Sequence, residues 1–267
     1  MISETKIIVI FGGAGLLGRK LCKRFYSKKT KVISVDINHK KSEKIKNSKK
    51  NLFKINADVL NKFSVNKLKN EILSCFKKVD SVIFLATYKS KDFYVRFTSG
   101  SLEGWKKTLE VELDGAYIVS QIFGPIMEKR CAGNFVFLSS IYGLVGNDHS
   151  IYKGSNLAGI YTENKKQKNQ IFSSPAYSVA KGGIISLTKY LAAYWGNRNI
   201  RVNCVSPGGI YNKSENKIFL RNYSKKVPMK RKARVEEVCD SIIFLSSDES
   251  SYINGHNLIV DGGFTAW

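Results

Sequence analysis

"IIVIFGGAGLLGRKL", Ile7 to Leu21, reads as an unbroken apolar run, a glycine-rich turn and a segment with helical spacing. An apolar run without alternation suits a strand buried on both faces of a parallel sheet. The glycines that follow, Gly12, Gly15 and Gly18, are spaced G-x-x-G-x-x-G. Between a strand and a helix, Gly12 permits the tight turn, Gly15 lets backbone approach a pyrophosphate, and Gly18 lets the helix pack on the strand. Leu16 and Leu17 open that helix, whose first N–H groups and dipole favour an anion. A tight turn with no ligand accounts for the same glycines, so the motif alone leaves both readings open.

The next strands add to it. Asp36 ends "KVISVD", 18 residues after Gly18, near the place where an acid accepts hydrogen bonds from an adenosine ribose. Such a carboxylate repels the 2′-phosphate of NADP, so NAD is the expected cofactor. His39, Lys40 and Lys41 follow closely and soften that repulsion, which keeps NADP open. Asp58 in "NADV" falls at a third strand's end, placed for the adenine amino group. Ile37, Val59 and Ala86 stand beside these strand ends and are expected around the same dinucleotide. Pro207, Gly208 and Ile210 belong to the turn that breaks "RVNCVSPGG", expected beside a nicotinamide.

Apolar runs recur along the chain as "KIIVIF", "KVISVD", "LFKINAD", "DSVIFLA", "NFVFLSS", "IRVNCVS" and "NLIVDG". Helical patterns lie between them at Leu16 to Lys28, Phe63 to Phe76, Leu102 to Lys129, Ala176 to Gly196 and Val235 to Ser246. Strands and helices in alternation predict an α/β Rossmann fold, a doubly wound seven-stranded parallel sheet with helices on both faces. No linker divides residues 1–267, which predicts a single domain. Two segments break the rhythm, about 143–174 and about 209–232, and long loops after strand ends in such folds commonly bind ligands.

The chain has 267 residues, 43% of them apolar, enough for one large core. Its first apolar run is too short for a signal segment or a membrane span, so a soluble cytoplasmic protein is expected. Five scattered cysteines and three distant histidines suggest neither a disulfide framework nor a metal site. Lys and Arg exceed Asp and Glu by 44 to 21, a net charge of +23. The lysines are dispersed and carry no nucleic-acid-binding motif, so no nucleic acid is expected as a partner; an anionic small substrate makes better use of local charge.

"SPAYSVAKGG" places Tyr177 and Lys181 four residues apart, on one helical face. A tyrosine titrates near pH 10, and a cation beside it that lowers this by two units stabilises the phenolate by about 2.7 kcal/mol. "NFVFLSSIYG" ends a strand with Ser139 and Ser140, hydroxyls suited to a substrate carbonyl oxygen. Taken in order, Gly12-Gly15-Gly18, Asp58, Ser140, Tyr177-x-x-x-Lys181, "RVNCVSPG" and the terminal "VDGG" resemble the motifs of the short-chain dehydrogenases/reductases across essentially the whole chain. The resemblance implies that Tyr177 is the general acid/base and that Ser140 orients the substrate oxygen. It further implies that Lys181 holds the nicotinamide ribose and depresses the tyrosine pKa while hydride passes between nicotinamide and a secondary alcohol or ketone. Pairing through the two long helices into a homodimer or homotetramer is implied as well.

The departures from that family are specific. "FLATY" stands where "NNAG" is usual, and Glu112 aligns with an asparagine of the family's proton relay, leaving the relay in doubt because a carboxylate lacks the amide's donor. Ser140 and Tyr177 are 37 positions apart, a large insertion for the family. Its polar residues, among them Asn147, Asp148, Tyr152, Lys153 and Asn156, predict hydrogen bonding to a hydroxylated substrate such as a sugar; a surface insertion that touches nothing is the alternative. Arg231, with Lys225, Lys226, Lys230, Lys232 and Arg234, forms a cationic run suited to a phosphate or nucleotide on that substrate. "GGAGLLGR", the insertion and "YINGHNLIVDGGFTAW" resemble a narrower branch, the oxidoreductases of flagellin modification and nonulosonic-acid sugar biosynthesis. The expected activity is NAD(P)-dependent oxidoreduction of a carbohydrate derivative. The alternatives are a sugar epimerase or dehydratase with transient oxidation, a 3-oxoacyl thioester reductase, or a non-catalytic binding protein.

Overall fold

In the computed structural model, which describes residues 5–26, 30–46, 50–162 and 171–267, all seven apolar runs are strands. They are β1 (Lys6–Phe11), β2 (Thr30–Val35), β3 (Leu52–Ile55), β4 (Ser81–Phe84), β5 (Gly133–Leu138), β6 (Ile200–Pro207) and β7 (Asn257–Val260). Every pairing is parallel, and the order across the sheet is β3-β2-β1-β4-β5-β6-β7. "LFKINAD" leaves the sheet after Ile55; Asn56 then turns its amide to the carbonyls of Ile37 and His39, at 2.7 and 2.8 Å, and ties two loops together.

The helices are α1 (Leu16–Tyr26), α2 (Lys62–Phe76), α3 (Leu102–Leu109), α4 (Gly115–Arg130), α5 (Leu157–Tyr161), α6 (Pro175–Trp195), α7 (Lys217–Lys225) and α8 (Val235–Leu245). Alternate residues of β1 serve two cores. Ile7, Val9 and Phe11 pack with α2, α4 and α6 on one face, and Ile8 and Ile10 with α1 and α8 on the other. No helix of the described residues is long and apolar enough to cross a membrane.

Three expectations change. The single helix expected over Leu102 to Lys129 is two helices joined by a π-helical turn at Glu110–Asp114. The segment near 209–232 contains α7, capped by the Asn216 side chain on the Phe219 amide. The insertion carries 3₁₀ turns and α5, and its Ile151, Tyr152, Leu157 and Ile171 join Phe219 and Tyr223 of α7 in a third apolar cluster. These residues of the insertion are packed rather than free on the surface. The end expected for the first helix at Lys28 and the lysine-rich stretch 163–170 lie outside the described residues.

Candidate active site

The strand order reverses between β1 and β4, where doubly wound sheets open a crevice at their carboxyl ends. Gly12 lies there with φ +81°, and a Cβ on it would stand 2.8 Å from the backbone of Leu85 and Ala86. A Cβ on Gly18 would stand 2.2 Å from the Gly12 carbonyl oxygen, whereas one on Gly15 meets only that oxygen, at 3.3 Å. The two outer glycines are therefore required by the turn, and the middle one, exposed to solvent, is the least constrained of the three. Gly13, which the spacing argument passed over, is equally constrained: a Cβ there would fall 2.1 Å from the Ser34 hydroxyl.

Asp36 accepts hydrogen bonds from the Ala14 and Asn38 amides, both at 2.9 Å, and so fastens the turn to the end of β2. Each of its oxygens keeps a lone pair. Ile37 is 62% and Leu16 46% exposed, two apolar side chains standing in solvent at this crevice. Asp58 is exposed and braces the Leu60 amide, whereas Val59 is turned into the core against Gly115 and offers the crevice only backbone. Ala86 lines the turn, Pro207 ends β6, the Gly208 amide bonds to Val260, and Ile210 bridges to Ala233. The α1 amides at Leu16, Leu17 and Gly18 have no acceptor within the helix. Open backbone at Gly15, a carboxylate at the end of β2 and exposed apolar surface fit a dinucleotide.

Tyr177 and Lys181 share one face of α6, which Pro175 opens at its first turn. The Lys181 ammonium lies 5.4 Å from the centre of the Tyr177 ring and donates to the Leu138 carbonyl at 2.9 Å. Ser139 donates to the Lys181 carbonyl at 2.8 Å, and Ser140 hydrogen-bonds Tyr177. Ser139 thus positions the helix while Ser140 meets the tyrosine. Glu112, 0% exposed in the π turn, is 2.9 Å from the Lys181 ammonium and accepts from Thr87 at 2.5 Å.

This changes the expected electrostatics. Burial pushes the Tyr177 pKa up, and although Lys181 pulls it down, Glu112 pushes it up again, so it stands above the ordinary value. Burial lowers the Lys181 pKa, but Glu112 and Tyr177 outweigh that and hold it above its ordinary value. Lys181 stays protonated, with its charge largely spent on Glu112.

A cavity of about 170 Å³ opens beside Tyr177, lined by Tyr152 and Leu157 of the insertion, Phe219 and Tyr223 of α7, and Lys89 beyond β4. Of the substrate residues expected from sequence, Tyr152 lines it, its hydroxyl 3.2 Å from that of Tyr142, and Ser140 adjoins it through Tyr177. Asn147 does not line it: its carbonyl oxygen accepts from Ser178 at 2.8 Å. Asp148 and Asn156 hold the insertion itself, through Ser150 and Lys226 and through Ser214 and Asn216. The cationic run is partly taken up by partners within the chain, though Lys225, Lys226, Lys230 and Arg231 stay exposed. Arg231 forms a paired contact with Glu237, at 2.7 and 2.8 Å, which Arg234 joins, and Lys230 lies over Trp267. Lys232 is buried against Glu215 at 2.5 and 2.6 Å.

Fold and site together define an oxidoreductase built on a dinucleotide-binding α/β sheet. The chain belongs to the short-chain dehydrogenase family: a model described as short chain dehydrogenase matches residues 6–160, and one described as Enoyl-(Acyl carrier protein) reductase matches residues 161–265. It is similar to the post-translational flagellin modification protein A of Campylobacter coli, 32% identical over 98% of both chains. A trans-4-hydroxycyclohexanecarboxylate dehydrogenase of Sinomonas cyclohexanicum is 37% identical over 64% of this chain and 57% of the relative. Among solved structures, a short chain dehydrogenase of Leptospira borgpetersenii with bound NAD+ superposes with a TM-score of 0.83, at 28% identity, over 98% of this chain and 93% of that one.

Proposed function

We propose that the protein is an NAD-dependent oxidoreductase that interconverts a secondary alcohol and a ketone on a carbohydrate derivative, in the cytoplasm, as a homodimer or homotetramer. The observation that carries this is the convergence of Ser140 and Lys181 on Tyr177, which lines a cavity bordered by the insertion. The Asp36 carboxylate at the end of β2 and the NAD+ in the Leptospira relative support NAD. A flagellin modification relative and one named for a hydroxylated ring acid support a polar ring substrate. Tyr117, Tyr190 and Tyr194, exposed on α4 and α6, support assembly through those helices.

In oxidation, Tyr177 as phenolate takes the hydroxyl proton of the substrate, and Ser140 donates a hydrogen bond to the oxygen as it becomes a carbonyl; in reduction Tyr177 returns the proton to that oxygen. A nicotinamide dinucleotide held by the turn at Gly12 to Gly18 and by Asp36 would supply the hydride acceptor or donor. Lys181, pinned by Leu138 and Glu112, would hold the nicotinamide ribose. The test is nicotinamide absorbance with a panel of sugars and polyols, alongside NAD and NADP affinity. Turnover with net cofactor reduction is expected. Product without net reduction points to an epimerase or dehydratase instead, and no NAD binding overturns the reading.

A further inference from the structure

Among the described residues, the charges around the cavity do not cancel. Three ammonium groups act on one another there, those of Lys89, Lys181 and Lys232, with two carboxylates, those of Glu112 and Glu215. Each carboxylate already holds a lysine: Glu112 pairs with Lys181 at 2.9 Å and Glu215 with Lys232 at 2.5 Å, and all four groups are buried. Lys89 is left over. Among the described residues no carboxylate lies within ion-pair distance of it. Its ammonium sits 3.5 Å from the centre of the Tyr161 ring, 5.5 Å from that of Phe93 and 6.0 Å from that of Tyr94. Ring faces return only about 0.5–2 kcal/mol to a cation, short of what hydration gives it in water. A cation held so poorly in a cavity is matched by an anion that enters the cavity.

Resting on the proposal that this cavity holds the substrate, we infer that Lys89 receives an anionic group of that substrate, a carboxylate or a phosphate monoester. The sugar ring lies between Lys89 and Tyr177, both of which line the cavity. Its volume, about 170 Å³, is below the roughly 300–1,000 Å³ of sites for drug-sized ligands, so the enclosed part of the substrate is a single ring with its charged substituent. The aromatic walls exclude water from the contact and strengthen it. Lys232 does not substitute for Lys89, because binding an anion there would first strip it from Glu215.

Burial lowers the Lys89 pKa to about 8; Glu112 and Glu215 oppose this and Lys181 and Lys232 add to it. The protonated form binds the anion, so affinity falls as pH rises through about 8. Arginine at this position keeps its charge and removes the step.

The test uses the full chain with NADH and three probes that differ in charge, an uncharged hexose, the matching hexuronate and the hexose 6-phosphate, with binding read by calorimetry. At least one anionic probe is expected to bind more tightly than the hexose, and the two anionic arms separate carboxylate from phosphate. Lys89→Met is expected to weaken that probe roughly ten- to a hundred-fold, as loss of a charge-assisted hydrogen bond does, and to weaken the hexose much less. Lys129→Met removes the same charge from an exposed site on α4 and controls for the overall positive field. Lys89→Arg is expected to retain binding above pH 8. No preference for either anion, or a preference that Lys89→Met leaves intact, overturns the inference. Turnover of the uncharged hexose in such a case leaves the oxidoreductase reading standing, whereas loss of NAD binding in the wild type removes both.

Discussion

Glu112 and Lys181 form an ion pair 2.9 Å long and almost wholly buried, with the catalytic tyrosine candidate one helical turn away. In this family the lysine is expected to draw the tyrosine pKa down. Here burial raises the tyrosine pKa and Glu112 shares the lysine's charge and adds to the rise, so Tyr177 titrates above its ordinary value.

A change in the pH profile follows. Oxidation needs the phenolate, so its rate rises with pH through the Tyr177 pKa. Glu112→Asn removes the opposing charge, leaves Lys181 to act on the phenolate alone, and should move the rising limb about 1–2 pH units lower, within the range of a nearby charge. An unmoved limb would show that Glu112 does not tune the tyrosine. Because one member of a buried pair is lost, the variant should also be less stable, by roughly 3–5 kcal/mol.

Tyr177→Phe removes a hydroxyl and keeps the ring that packs against Phe93, 5.8 Å between centres. The variant should fold and bind NAD while turnover drops about 10²–10⁴-fold, the usual contribution of a positioned acid/base. Near wild-type turnover would move the proton transfer to another group.

The three glycines should separate by mechanism. Gly12→Ala and Gly18→Ala drive a Cβ into backbone and should unfold at lower temperature. Gly15→Ala meets one oxygen at 3.3 Å and should keep its melting temperature while losing NAD affinity. Equal destabilisation of all three would refute an open face at Gly15.

Neighbouring cations of the second loop should likewise differ. Lys232→Met strands the buried Glu215 carboxylate, and the cost should be roughly 3–5 kcal/mol in denaturant unfolding. Arg231→Met breaks an exposed contact with Glu237 and should leave the unfolding midpoint near wild type.

What sequence reading caught was local. Strand, turn and helix are contiguous at Ile7 to Leu21, and Tyr177 and Lys181 are joined by helix geometry alone. What it missed was distant or irregular. Lys89 meets Tyr161, and Glu215 meets Lys232, only after the insertion and α7 fold over the cavity, and no spacing rule connects them. The insertion reads as polar because its apolar residues come in short groups, Ile151-Tyr152, Leu157-Ala158 and Ile171-Phe172, between polar stretches, yet Ile151, Leu157 and Ile171 are buried in the apolar cluster it shares with α7. The run of lysines looks like one cationic surface, while the chain turns Lys226, Lys230 and Lys232 toward three different partners.

The π turn at Glu110–Asp114 makes two rods of different phase from what looks like one. A single added residue rotates an α-helix by roughly 100°, so a helical wheel drawn straight from Leu102 assigns α4 to the wrong side. The turn lets Gly104 and Thr108 pack inward before it and Ala116, Val119 and Phe123 do so after it. Removing one residue there would restore an unbroken helix and force a choice between seating the second rod in its core and keeping Glu112 beside Lys181.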